Sequence, residues 1–481
     1  MKRKAKIIAT IGPASASPEI LTELILQGMD VARLNMSHGS YSQHAEAISN
    51  IRSISDKLKR PVAILLDLCG PKLRTGPLPD GKPILLTTGS KVIISTENPP
   101  SSPHAISINY PYLTQDIRIN DRLLIDDGLI ELLVEDKSPK ELLCKVIHGG
   151  ILGEHKGINF PSSTLSIPSI TEKDLKDIEF GLSLQVDFFA LSFVRNANDC
   201  LEAKKLIESS AKKLNLNYLP QLVAKIEKAD ALANLDAILQ VADAIMVARG
   251  DLALETLIEA VPISQKEIIR KAINASKPVF TATQMLQSMT SNPKPTRAEV
   301  ADVANAILDG SDALMLSAET ASGSFPVQAL QTMDKIITFT ENASSSKNTP
   351  PHLHHHTRSL NSALAEAAVF AALEIQAPLI AALSHQGKIV RKLAALRPTP
   401  PILALTTSQH TYHCLAAVWG VIPLLLPEPI PQYLNSAILQ LNLAKPSDPI
   451  VLVAGSFPSL PISNFVKLHY LDNPFMSYVT H

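Results

Sequence analysis

The sequence predicts an α/β protein built on a closed (β/α)₈ barrel, with a small β-barrel domain inserted after the third strand and an α/β domain at the C-terminal end. Three observations carry this reading. Eight short apolar runs alternate with amphipathic helical patterns, one gap between those runs is far too long, and a polar stretch follows residue 340. The runs are KIIATIG (6–12), DVARLNMS (30–37), VAILLDL (62–68), DFFALSF (187–193), QLVAKIE (221–227), AIMVARG (244–250), PVFTAT (278–283) and ALMLSAE (313–319). Near-continuous apolar character suits parallel strands covered on both faces. Between them SPEILTELILQG, TEKDLKDIEFGL, ISQKEIIRKAIN and RAEVADVANAIL repeat at helical spacing. A doubly wound sheet is the rival arrangement; eight units and the polar strand ends described below favour closure.

Spacing then locates the insertion. Strand ends fall at 10, 38, 67, 192, 227, 250, 283 and 319, so the third gap alone spans 125 residues while the others span 23 to 36. So long a stretch inside a domain needs structure of its own. KVIIST, DRLLIDDGLIELLVED and ELLCKVIHGG within it read as strands separated by Pro, Asn-Asp and Asp-Gly turns. Residues 72–164 are therefore expected to form a β lid domain over the active face of a barrel made from 1–71 and 165–340. ENASSSKNTPPHLHHHTRS reads as a linker, its histidines at 352 and 354–356 included. Residues 341–481 contain a helical pattern, then LIAALS, PILALTT, IPLLLP and PIVLVAG as strands of the last domain.

Composition excludes several classes of function. Net charge is −1 with no long basic run, which argues against nucleic acid or an anionic membrane as partner. No apolar stretch approaches the length of a membrane span, and the N-terminal segment lacks the pattern of a signal peptide. Cys69, Cys144, Cys200 and Cys414 are scattered without a CxxC pair, as in a reducing cytoplasm.

The strand ends carry the candidate chemistry, since barrel enzymes work from the carboxyl ends of their strands. The second strand ends in Arg33, Asn35 and Ser37, and the third in Asp67, followed by Lys72 and Arg74. The fifth ends in Lys225 and Glu227, the sixth in Arg249, Gly250 and Asp251, the seventh in Thr283, and the eighth in Ser317 and Glu319. Glu227 and Asp251 are hard oxygen donors suited to Mg²⁺ or Mn²⁺. Arg33, Arg74 and Lys225 suit a phosphoryl group, whose transfer depends mostly on charge stabilisation. The amides of the turn at 249–251 could receive a carboxylate. No GxxxxGK[ST], GxGxxG or HExxH is present, so a nucleotide would bind without a P-loop.

These motifs resemble the pyruvate kinase family. The likeness runs through ATIGPAS, RLNMSHG, LD…GPKLRTG, KGINFP, LSFVR, AKIE, MVARGDL, TATQMLQSM and PTRAEVADVANAILDGSDALMLSAETASGSFPVQAL, covering the barrel and both edges of the insert. It implies phosphoryl transfer from phosphoenolpyruvate to ADP, giving pyruvate and ATP, with Mg²⁺ or Mn²⁺ on Glu227 and Asp251. By the same resemblance Lys225, Arg33, Thr283 and Arg74 are catalytic, and Arg33, Lys225, Gly250, Asp251 and Thr283 bind substrate. Arg74, Thr10, Pro13 and Lys156 lie by the nucleotide, and Ser317 and Glu319 stand near the proton relay. A homotetramer is the family's usual assembly, and the Ser384-His385-Gln386-Gly387-Lys388 turn matches a loop that takes a sugar-phosphate effector in some members.

Departures from the family pattern add one expectation. Many members need K⁺ and commonly carry Glu at the position of Lys72 and Thr at that of Leu68. A lysine ammonium is a tethered monovalent cation, so activity is expected without K⁺, with Lys72 supplying the charge and Asn35, Ser37 and Asp67 lining that site. Lys228 replaces a usual Asn, Ala253 and Ala318 usual glycines, and Cys69 a usual Lys; none removes an inferred catalytic group. Another metal-dependent barrel enzyme of enolate chemistry, or a barrel that has lost its chemistry, are the competing readings.

Overall fold

The computed structural model describes residues 3–97, 105–161, 163, 165–345, 359–427, 433–455 and 464–472. The histidines at 352 and 354–356 lie outside the described residues. Strands β1 (Lys6–Thr10), β2 (Val31–Asn35) and β3 (Ala63–Asp67) open the chain. The long gap then holds β4 (Ile84–Leu86), β5 (Lys91–Ser95), β6 (Ala105–Ser107), β7 (Arg122–Ile125), β8 (Ile130–Lys137), β9 (Glu141–His148), β10 (Gly150–Leu152) and β11 (Ile158–Asn159). Next come β12 (Phe188–Leu191), β13 (Gln221–Ile226), β14 (Ala244–Ala248), β15 (Val279–Ala282) and β16 (Ala313–Leu316).

The eight predicted strands close in parallel into one barrel, β1-β16-β15-β14-β13-β12-β3-β2. Successive side chains alternate faces. Ile8, Val31, Leu65, Phe188, Val223, Met246, Phe280 and Met315 fill the interior, while Ile7, Leu34, Ile64, Phe189, Leu222, Val247 and Leu314 pack outward with the surrounding helices. Those helices start where capping residues dictate. Ser40 with Gln43, Thr171 with Asp174 and Thr296 with Glu299 form reciprocal capping boxes.

The insert is a six-stranded sheet, β11-β7-β8-β9-β5-β6, beside the pair β10-β4. Arg74 pairs with Gly157 next to β11, and Thr75 pairs with Ile108 next to β6. One short segment thus joins both edges of the sheet, which closes the small β-structure and leaves no long free edge. The C-terminal unit adds β17 (Ile380–Leu383), β18 (Ile402–Thr406), β19 (Val421–Leu425), β20 (Pro449–Ala454) and β21 (Phe465–Tyr470). They form a sheet β19-β18-β17-β20-β21 in which only β21, a strand absent from the expected set, runs antiparallel.

The two α/β units meet at the floor of the barrel, opposite its polar strand ends. Cys414, Ala416 and Ala417 join the apolar cluster of the barrel interior. Beside them Arg397 contacts both Asp312 oxygens at 3.2 Å and lies over the Trp419 ring at 4.7 Å. Removing one partner of so sheltered a pair strands the other charge. Arg397→Ala is expected to cost about 3 kcal/mol in denaturant unfolding; a loss below about 0.5 kcal/mol, the range of an ordinary surface substitution, would contradict it.

Candidate active site

Four strand ends converge on one polar cluster. Arg33 on β2 donates from Nε to Asp67 Oδ2 on β3 at 2.8 Å and from an Nη to Thr10 Oγ1 on β1 at 3.0 Å. Across the mouth, Lys225 Nζ on β13 lies 2.8 Å from Glu227 Oε1 and 3.3 Å from Asp67 Oδ1, and donates to Ser192 Oγ at 2.8 Å. Ser192 hands that bond on to the Leu68 carbonyl, and the Phe193 amide donates to Glu227 Oε2 at 2.6 Å. Ser192 was not among the predicted site residues; a lone hydroxyl in LSFVR is a weak signal until β12 is set beside β13.

Burial decides the electrostatics. Asp67 and Glu227 are almost fully enclosed. Burial alone would lower the Lys225 pKa, but the Asp67, Glu227 and Asp251 carboxylates outweigh it and hold the ammonium well above its ordinary value. Burial would likewise raise Asp67, yet Lys225 and Arg33 hold it below the usual carboxylate range. Glu227 goes the other way: burial, reinforced by the Asp251 charge, pushes it up despite Lys225. The Asp251 carboxylate makes no hydrogen bond or ion pair among the described residues. Two neighbouring carboxylates of one sign, one of them unpartnered, fit a divalent oxygen-seeking cation, which would relieve their repulsion.

The next two strand ends show backbone strain. Thr283 and Gln284 follow β15 with φ of 70° and 55°, and Phe193 follows β12 with φ of 56°. A β-branched residue in the left-handed region costs about 1–3 kcal/mol and persists only where its surroundings impose it. Here the Gly250 amide donates to Thr283 Oγ1 at 2.9 Å and Arg249 to the Thr283 carbonyl at 2.7 Å, with Arg249 fixed by Asp302. Glu319 is fully buried and accepts from the Leu286 and Ser317 amides, while Ser317 Oγ is buried without a hydrogen-bond partner among the described residues.

A cleft of about 340 Å³ runs between this rim and the insert. Lys72, Arg74 and Lys156 line its insert side and Asp251 and Lys228 its barrel side. A polar link crosses the gap: Glu255 Oε1 lies 3.0 Å from Lys228 Nζ and accepts from Asn159 Nδ2 at 3.0 Å.

Sequence comparison addresses this architecture as a whole. The family model described as "Pyruvate kinase, barrel domain" matches residues 2–330. The chain belongs to the pyruvate kinase family. The model "Pyruvate kinase, alpha/beta domain" matches residues 362–469. A pyruvate kinase of Geobacillus stearothermophilus is 42% identical, over 98% of this chain and 81% of the relative. One from Staphylococcus aureus is 41% identical over the same shares. A solved pyruvate kinase from Cryptosporidium parvum superposes with a TM-score of 0.89 at 34% identity, covering 98% of this chain and 96% of that one. The chain is accordingly a phosphotransferase, and no helix among the described residues is long and apolar enough to cross a membrane.

The remaining residues expected from the pyruvate kinase resemblance are less tightly gathered. Lys72 is exposed, and its ammonium makes no hydrogen bond or ion pair with Asn35, Ser37 or Asp67. Its charge still reaches the rim: burial, then Lys72, Arg74 and Arg33, lower the His38 pKa. Asn35 Oδ1 caps the Ser37 amide, and Ser37 Oγ points to Cys69 Sγ. Arg74 is exposed and donates to the His155 carbonyl, while Lys156 pairs with Asp126 at 2.9 Å. Thr10 is buried and Pro13 exposed. In the C-terminal unit Gly387, with φ of 72°, precedes helix Lys388–Ala395; Ser384 is buried and Lys388 exposed.

Proposed function

We propose that the cleft binds phosphoenolpyruvate and ADP and moves the phosphoryl group between them, yielding pyruvate and ATP in the last step of glycolysis. The carrying observation is the enclosed Lys225–Asp67–Glu227–Arg33 cluster at the carboxyl end of the barrel, with Asp251 and the cationic face of the insert opposite. Units 1–71 with 165–340, 72–164 and 341–481 would be the barrel, the lid and the C-terminal domain.

In this reading Arg33 and Lys225 hold the phosphoryl oxygens, and both are already fixed by Asp67, so little reorganisation is needed as charge moves. Glu227 and Asp251 would hold Mg²⁺ or Mn²⁺, which supplies further neutralisation of the substrate oxygens. The bond between phosphorus and the enol oxygen breaks as the ADP β-phosphate oxygen bonds to phosphorus, and Lys225 stabilises the enolate left behind. Arg74 and Lys156, with Thr10 to Pro13, would face the nucleotide. A proton then reaches the enolate carbon past Thr283, whose hydroxyl the Gly250 amide holds in place, with Ser317 behind it. Glu319 supports that relay by fixing the turns on either side.

A coupled assay for pyruvate tests the whole reading. Product should form only when ADP and Mg²⁺ are both present, and Glu227→Gln should raise the Mn²⁺ concentration for half-activity at least about tenfold. Pyruvate released at full rate without ADP would instead favour another enolate enzyme.

The K⁺-independence implied by Lys72 belongs to the same reading. So do the family's homotetramer and a cytoplasmic location, the latter in keeping with the free thiols of all four cysteines. A phosphorylated sugar at the Ser384–Lys388 turn would be an activator; Lys388→Ala should then weaken activation about tenfold or more, and undiminished activation in that variant would exclude Lys388 as a contact.

A further inference from the structure

The floor of the barrel carries a second polar cluster, remote from the strand ends. Asp187, just before β12, is buried, and its Oδ2 accepts from Arg52 at 2.8 Å and from the Ile64 amide at 2.6 Å. Oδ1 turns instead toward the helix Gln409–Cys414 of the C-terminal unit. It lies 3.8 Å from His410 Nδ1 and 3.6 Å from His413 Nδ1. Buried Cys414 brings its Sγ to 3.8 Å from His410 Nδ1 and 3.5 Å from Nε2. Ligand atoms of Asp187, His410 and Cys414 all lie within 4.8 Å of one another.

We propose that Asp187, His410 and Cys414 form a structural site for a zinc-type ion that ties the C-terminal unit to the floor of the barrel. A tetrahedral ion with bonds of about 2.0–2.3 Å sets its ligands roughly 3.3–3.8 Å apart, and the His410 contacts to Asp187 Oδ1 and Cys414 Sγ, 3.5–3.8 Å, are of that length. The donors are one oxygen, one nitrogen and one sulfur, a set that selects transition metals over Mg²⁺. Positions 410 and 414 share one face of their helix, so the same turn offers both toward Asp187. His413 Nδ1 or a water completes the shell.

The surroundings are those of a supported site rather than of loose polar contacts. Arg52 and the Ile64 amide orient the carboxylate through its other oxygen, the Tyr218 ring packs against the His410 ring at 5.0 Å, and Gln409 steadies His413 at 3.2 Å. Hydrogen bonding alone serves Cys414 poorly, because a thiol is a weak donor and its polar neighbours stand at 3.5–3.8 Å. Burial and the Asp187 charge keep its proton on while Arg391 and Arg52 favour the thiolate; on binding, the ion's charge offsets that repulsion, the proton passes to solvent and sulfur bonds to the ion.

Chelator-stripped full-length protein titrated with Co²⁺ provides the test. A thiolate-to-cobalt charge-transfer band should saturate at one equivalent, since Glu227 and Asp251 supply no sulfur. The band should vanish in Cys414→Ser and fall at least about tenfold in affinity in His410→Gln. It should persist in Cys69→Ser, which removes the thiol of the other such cluster among the described residues, Cys69 with Asp174 and Asp177. Zn²⁺ should raise the Tm of wild type by several degrees more than that of Cys414→Ser, which keeps only the Glu227 and Asp251 site, and pyruvate formation by each variant shows that it is folded. No band in wild type, a band retained in Cys414→Ser, or one lost in Cys69→Ser would overturn the proposal.

Discussion

Replacing Lys225 with methionine should lower kcat by about 10³-fold, the scale of losing a charged donor aimed at the transition state. The KM for ADP should change little, because Arg74 and Lys156 lie on the insert side of the cleft. The same change leaves Asp67 and Glu227 enclosed without their shared cation, at a cost of about 3–5 kcal/mol. That cost has a definite pH dependence. With Lys225 gone, Arg33 still pairs with Asp67, but Glu227 is held still further above its unfolded value by burial and Asp251, so the variant is relatively most stable below about pH 4 and loses ground as pH rises through the raised Glu227 pKa. In wild type the Asp67 pKa is lowered instead; its contribution is present above the unfolded value and disappears as pH falls through the folded one. Single-turnover kinetics and unfolding at two pH values would separate these effects. A kcat within tenfold of wild type would remove Lys225 from the chemistry.

The second large effect concerns the monovalent cation. Wild type should be equally active in potassium, sodium and Tris salts, whereas Lys72→Glu should lose about 10²-fold in Tris and regain it on adding K⁺. Lys72 is exposed and unpaired among the described residues, so its charge is well screened while the cleft is open. It gains strength only as substrate and insert exclude water. The variant therefore should lose kcat more than substrate affinity. A wild-type enzyme silent in Tris and restored by K⁺ would end the idea.

Much of this was legible from the chain because each barrel strand is short, apolar and abruptly polar at its end. LVAKIE places Lys225 and Glu227 two residues apart on one strand, and their meeting at 2.8 Å needs little beyond a strand's alternation. Contacts made across the sheet are another matter. Ser192 joins Lys225 only because β12 pairs with β13, and Asp187 meets the helix Gln409–Cys414 across more than two hundred residues. Closure of the insert through Arg74 and Thr75 depends on a segment of two residues, too short for any periodic pattern. The outward course of Lys72 is equally silent in sequence, since side-chain direction in a loop follows no repeat.

The residues that plug the barrel floor carry a consequence for biogenesis. Cys414, Ala416 and Ala417 complete an apolar interior whose other members end at Met315, and the Lys6 ammonium donates to the Val421 carbonyl. During translation the eight strands emerge long before their stopper, so the nascent barrel stays open at one end for roughly a hundred codons. Its last step of compaction waits for the C-terminal unit, and that interval is when the growing chain most needs a chaperone's shelter.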